Sequence, residues 1–177
     1  ESLVGDTSDT DMGIFLEGGR ITGSIGSITT TTYDGIWLAA QNCSVNLEIG
    51  SISAGDNPIE VTACSASEIR VGYLSGNGIN IVAGNGEDVD VCIVSQRCVM
   101  FGQSILSTVN GGSVKAFLSL GQYDAGGGIG FQGLCDGAVI SETRIFNSTI
   151  PIELSGGVGY QFDGGLVLGC VLVGSGD

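Results

Sequence analysis

The amino-acid sequence predicts an all-β chain folded as a solenoid, a single-stranded parallel β-helix of about seven coils. Three observations predict it. A short apolar phrase returns about once every twenty to thirty residues, nearly always entered by Gly or Pro. A second phrase with the same alternation follows each copy of the first. The chain also carries 32 glycines and only two prolines, a composition that argues against long helices.

The first phrase reads Gly13-Ile14-Phe15-Leu16, Gly35-Ile36-Trp37-Leu38, Pro58-Ile59-Glu60-Val61, Gly78-Ile79-Asn80-Ile81, Cys98-Val99-Met100-Phe101, Gly128-Ile129-Gly130-Phe131 and Pro151-Ile152-Glu153-Leu154. Two apolar positions flank a residue of any kind, which is the period of a strand with one face buried. The second phrase reads Val45-Asn46-Leu47, Ile69-Arg70-Val71, Val89-Asp90-Val91, Val114-Lys115-Ala116, Val139-Ile140-Ser141 and Leu166-Val167-Leu168. A further apolar residue follows at Ile52, Leu74, Ile93, Leu118, Ile145 and Val171, so each coil offers about three short strands separated by corners. The fixed Leu and Asn framework of leucine-rich repeats is absent. What remains is a coil whose strands pair with their copies in the next coil.

By length the 177 residues make one domain. Residues 1–12 are polar, acidic and without periodicity, and read as a lead-in or cap. Coils fill 13–174, and 175–177 form a tail with no cap of its own. The chain opens on Glu1 and not Met, which leads to the expectation that it is a processed or excised piece of a longer polypeptide. The longest corner insertions fall at Val109–Ser113, Tyr123–Gly128 and Gly156–Gly165.

Five basic residues stand against 19 acidic ones, for a net charge of −14. Binding a nucleic-acid backbone needs a basic track that this chain lacks, and an anionic membrane surface is disfavoured for the same reason. No run of eighteen apolar residues exists to cross a bilayer as a helix, so membrane insertion is not expected. Most of the acids read as a solvated surface that keeps a β-rich molecule soluble.

The six cysteines show no Cys-x-x-Cys pair, and histidine is absent, so no structural zinc site and no metal is expected. Free, mostly buried thiols are the first reading and a disulfide framework is the alternative, with Cys43 and Cys64 the pair whose similar places in adjacent coils let them approach each other. Asp6, Asp9 and Asp11 precede Gly13 without the closing Glu of a calcium loop. Thr29–Thr32 begins no recurring Thr ladder, and Gly126–Gly130 lacks the helix and Lys of a phosphate loop. No cofactor is expected.

Without histidine, a Ser or Cys nucleophile lacks its usual base. Carboxylate pairs acting on a glycosidic bond are the remaining catalytic chemistry. Glu60 and Glu153 share a face but lie four coils apart, about 19 Å at the strand spacing, too far to cooperate. Asp136 with Glu142, or Asp163 with Glu142, are the catalytic candidates that neighbouring coils can bring together.

The outward positions of the first phrase read Phe15, Trp37, Glu60, Asn80, Met100, Gly130 and Glu153. Those of the second read Asn46, Arg70, Asp90, Lys115, Ile140 and Val167. If the coils stack in register, Arg70, Asp90 and Lys115 form a ladder of alternating charge. Met100, Phe117, Ile140 and Val167 form an outward apolar stripe, the mark of a subunit interface, and a side-by-side homo-oligomer is expected from it. Trp37, Tyr73 and Tyr123 are the aromatic residues offered for stacking on sugars.

The coils beginning Gly-Ile-Trp-Leu, Gly-Ile-Asn-Ile and Pro-Ile-Glu-Leu, with irregular lengths and Gly-rich corners, resemble the right-handed parallel β-helices of the pectin-lyase-like type. Among these they are most similar to the tailspikes, tail fibres and related virion appendages of bacteriophages. The resemblance spans Gly13 to Gly174. It implies a right-handed coil, a homotrimer, a virion or extracellular location, and a structural and receptor-recognition role at host surface polysaccharide or neighbouring virion proteins. Many such appendages cleave the polysaccharide with outward Asp and Glu, so a polysaccharide lyase or glycoside hydrolase is the first alternative. An extracellular adhesin or filament subunit stacking end to end is the second.

Overall fold

The computed structural model describes residues 2–4, 13–84, 86–109, 111–132, 137–153 and 166–174. Its elements, in chain order, are β1 (Ser2–Val4), β2 (Ile14–Leu16), β3 (Gly19–Thr29), β4 (Ile36–Ala39), β5 (Cys43–Ser53), β6 (Ile59–Gly76), β7 (Ile79–Gly84) and β8 (Asp88–Met100). They continue as β9 (Ser104–Val109), β10 (Ser113–Asp124), β11 (Ile129–Gln132), β12 (Ala138–Ser148), β13 (Ile150–Glu153), β14 (Leu166–Leu168) and β15 (Val171–Gly174). No helix occurs among the described residues, and every strand pair is parallel.

Each coil places a short strand on one face and a long strand on the other. The short-strand face stacks β2, β4, the first part of β6, β7, β9, β11 and β13. The long-strand face stacks β1, β3, β5, the rest of β6, β8, β10, β12, and then β14 with β15. This is a parallel β-solenoid of about six turns, one fewer than the phrase count predicts. The difference is one of counting, because seven short strands bound six complete turns.

The interior consists of files of like residues, one from each coil. Ile28, Ile52, Leu74, Cys98, Tyr123 and Ile145 occupy one register position, and all are fully buried. Leu47, Ile69, Ile93, Leu118 and Ile140 form a second file, and Ile14, Ile36, Ile59 and Ile79 a third. Burying each aliphatic side chain contributes about 1.5–3 kcal/mol, and β-branched chains stack well at this spacing. The Gly at the mouth of a short strand has a packing reason. A methyl group on Gly35 would run into Ile52 Cγ2 of the interior file and the Pro58 carbonyl of the next coil.

Register overturns several outward assignments. Cys98 belongs to the long-strand interior file, so Met100 is also inward and fully buried, while Phe101 points out at 69% exposure. The fifth short strand is β9, which begins three residues after Phe101. Ile140 is buried in file with Leu118, and its neighbour Val139 takes the outward position beside Phe117. Val167 continues the Ile140 file on the last described coil, where it is 36% exposed. In each case a one-residue change of parity reverses the face. Of the expected stripe, Phe117 holds an outward position at 42% exposure and Val167 is exposed on the last described coil, and the outward apolar file there is Cys92, Phe117, Val139 and Leu166.

The charge ladder is also partial. Lys115 does sit beside Asp90, but Arg70 aligns with Glu48 and Val94 and makes an ion pair with Glu68 of its own strand. Asp90 faces the irregular stretch between Cys64 and Ser67 of β6, several residues along the strand from Arg70.

Candidate functional site

The outer surface of the short strands carries one continuous file: Phe15, Trp37, Glu60, Asn80, Ile105 and Gln132. Successive members stand about 4.8 Å apart, the spacing of paired strands. Strand alternation puts them outward, because their neighbours Ile36, Leu38, Ile59, Val61, Ile79 and Ile81 are buried. Phe15 and Trp37 form a ring pair, with centroids 4.8 Å apart and planes inclined by 42°. Phe15 is 43% exposed, so the pair is an apolar platform at the surface.

Carboxylates and amides adjoin this platform at the corner that leads into each short strand. Asp34 is only 8% exposed, and its Oδ1 accepts the Asn57 backbone N–H at 3.0 Å. The Asn57 side-chain amide donates to Glu60 Oε2 at 3.1 Å. In the next coil the Asn77 amide donates to Asp56 Oδ1 at 2.8 Å, and farther along Gln103 Nε2 donates to Gln132 Oε1 at 2.5 Å. One Asn side chain thus ties the file to the corner, and the corner ties each coil to its neighbour.

The electrostatics follow from this packing. Burial pushes the Asp34 carboxyl above the ordinary range against the lowering effect of the Asn57 N–H, and Asp56 adds repulsion. Burial likewise raises Glu60, with repulsion from Asp34 next, opposed by the Asn57 amide. Two polar atoms on either side of Glu60, Trp37 Nε1 and Asn80 Oδ1, are buried without a hydrogen-bond partner. Such groups are few in folded proteins and cost about 1–3 kcal/mol each when left unmet.

The five basic residues are Arg20, Arg70, Arg97, Lys115 and Arg144, and every one lies on a long strand. The short-strand face therefore has no cation of its own. A shallow groove of about 470 Å³ opens on the long-strand face near the β6 register shift, lined by Arg20, Glu68, Asp90, Lys115 and Phe117 among others. Its charges are mixed, and it offers one aromatic ring.

Of the residues singled out from the sequence, Trp37 lies in the platform. Tyr73 is partly buried in the outward file of Ser51, Arg97 and Gln122 on the long-strand face. Tyr123 is not available to a ligand. It is fully buried against Phe131, and its hydroxyl donates to the Gly130 carbonyl at 3.0 Å and lies 2.7 Å from Ser104 Oγ. Glu142 is exposed and has a left-handed backbone, φ 49°, between residues 141 and 143. Thr143 accounts for that local turn, since its hydroxyl accepts the Leu120 N–H at 3.0 Å and donates to the Ser141 carbonyl. Asp136 and Asp163 lie outside the described residues.

Five cysteines, Cys43, Cys64, Cys92, Cys98 and Cys170, are free thiols. Burial pushes Cys64 up to about 11 and Cys98 up to about 12, which makes both poor nucleophiles. Among the described residues no group of three or more His, Cys, Asp or Glu could hold a metal ion. Sequence reasoning passed over the Asp34, Asp56, Asn57 and Glu60 cluster. Its signal was an Asp or Asn just before the first phrase, at Asp34-Gly35, Asn57-Pro58 and Asn77-Gly78. No protein-family model matches the chain, and neither a curated protein nor a solved structure matches it.

Proposed function

We propose that this solenoid is a structural and receptor-recognition module of a trimeric virion or extracellular appendage, of the tailspike kind, and that its short-strand face docks a surface polysaccharide. The observation that carries the reading is the Phe15–Trp37 platform, with Phe15 exposed and Trp37 half-buried, continued along the axis by Glu60, Asn80, Ile105 and Gln132. Sugar rings present an apolar face and a hydroxyl rim, and this file offers an apolar ring pair followed by hydrogen-bonding side chains. A rigid stack of coils holds both at a fixed repeat, so little ordering cost is charged to binding. Side-by-side packing of copies is assigned to the other face, through Phe117, Val139 and Leu166.

The test is a polysaccharide array probed with the wild-type protein and the Trp37→Ala variant. Retention of one glycan class by the wild type and its loss in the variant supports the reading. Binding unaffected by Trp37→Ala removes the platform from it. One observation favours cleavage as a second reading, the raised carboxyls of Asp34 and Glu60. Asp34 is nearly buried and already engaged by Asn57, so binding stands first. Release of new reducing ends from a bound glycan, lost in Glu60→Gln, would promote the hydrolase.

A further inference from the structure

We infer that the glycan taken by the short-strand face is cationic, a hexosamine polymer with free amino groups; this rests on the docking reading above. The charge distribution carries it. All five basic residues of the chain are on long strands, whereas Glu60 stands in the docking file with Asp34 and Asp56 behind it. A uronic or sialic acid laid along this file meets a field of its own sign, from the site and from a chain of net charge −14. An ammonium group meets a half-buried carboxylate one strand step from an aromatic ring pair. A neutral glycan gives that carboxylate a hydroxyl donor but no opposite charge.

The spacing supports the same ligand. Glu60 follows Trp37 at one strand step in the file, so a sugar over the rings places its neighbour's substituent at the carboxylate. A polyanion has another place to go. Arg97 and Arg144 occupy one outward file of the long-strand face, with Gln122 between them and Tyr73 beside Arg97.

The experiment is calorimetry at neutral pH and low salt with three probes: a fully deacetylated glucosamine hexamer, its fully N-acetylated counterpart and an oligogalacturonate. The proteins are wild type, Trp37→Ala, Glu60→Gln and the double variant Arg97→Ala/Arg144→Ala. Glu60→Gln retains an oxygen for the Asn57 amide, so the corner is conserved. The expected result is deacetylated hexamer bound about tenfold tighter than acetylated hexamer, a gap that salt and Glu60→Gln both close. Trp37→Ala loses both ligands, and the arginine double variant loses neither. Equal or tighter binding of the acetylated or uronate probe, still dependent on Trp37, overturns the cationic ligand and leaves the docking face standing. Deacetylated-hexamer binding indifferent to both Trp37→Ala and Glu60→Gln is diffuse attraction to an acidic chain and also overturns the inference. No binding of any probe counts against the docking reading itself.

Discussion

Tyr123→Phe removes one hydroxyl from the middle of the interior and leaves the ring in place. That hydroxyl donates to the Gly130 carbonyl at 3.0 Å and lies 2.7 Å from Ser104 Oγ, which itself accepts the Ile79 N–H at 2.8 Å. With the tyrosine donating to Gly130, Ser104 is the donor to tyrosine. Both the Ser104 hydroxyl and the Gly130 carbonyl then lose a partner in the variant, at fully buried Ser104 and at the coil wall. Each buried group left unmet costs about 1–3 kcal/mol, so a loss of about 2–6 kcal/mol is expected. At this chain length that lowers Tm by roughly 4–24 °C. Urea unfolding followed by circular dichroism measures it as a lower midpoint at unchanged slope. Adding Ser104→Ala removes the stranded hydroxyl but leaves the Ile79 N–H without its acceptor, and a double-mutant cycle reads the Tyr123–Ser104 coupling directly. A change within about 0.5 kcal/mol, typical of exposed positions, would refute the buried register of Tyr123 and with it the interior file.

Three further outcomes are expected. Gly35→Ala drives a methyl into Ile52 Cγ2 and the Pro58 carbonyl, and is expected to cost about 1–3 kcal/mol, read as a lower Tm; an unchanged Tm would mean that the coils are not in van der Waals contact there. Burial raises Asp34 and Glu60, so the folded state holds protons that the unfolded state has released. Their contribution to stability is therefore greatest below the ordinary carboxyl values, 3.8 and 4.5, and declines as pH rises through the raised folded values. Asp34→Asn keeps an acceptor for the Asn57 N–H and is expected to raise the unfolding midpoint at neutral pH and flatten this decline; an unchanged pH profile would contradict it. Phe117→Asp puts a charge in the outward apolar file, and on the proposed trimer light scattering is expected to show mass falling from three times 17.9 kDa to one, with the circular dichroism unchanged. An unchanged mass would move the subunit contact elsewhere.

The periodicity of the apolar phrases carried the architecture, because each phrase lies on a strand whose inner positions stack coil upon coil. Parity was legible only where one face is polar. Gly-Ile-Trp-Leu and Pro-Ile-Glu-Val contrast inner and outer residues through their flanks, and Trp37 and Glu60 were placed outward from the sequence. In Cys98-Val99-Met100-Phe101 and Val139-Ile140 both parities are apolar, so alternation has nothing to contrast. The register of Cys98 with Leu74, and of Ile140 with Leu118, decides the face instead. Those registers depend on coil lengths and on local irregularities such as the shift between Cys64 and Ser67, which no single phrase reveals. The candidate site was half legible for a related reason. Trp37 stood out by its type. Asp34 and Asn57 are ordinary corner residues until stacking brings one coil's carboxylate to the next coil's amide.

On the proposed function, a sugar polymer settles on the platform at Trp37. This is the chain's single tryptophan, so its fluorescence reports on that site alone. Titrating the wild-type protein with the deacetylated glucosamine hexamer is predicted to give a saturable change in intensity and emission maximum, one that Glu60→Gln weakens. A flat emission spectrum across the titration, with binding seen by calorimetry in the same samples, would place the ligand on another face and contradict the account.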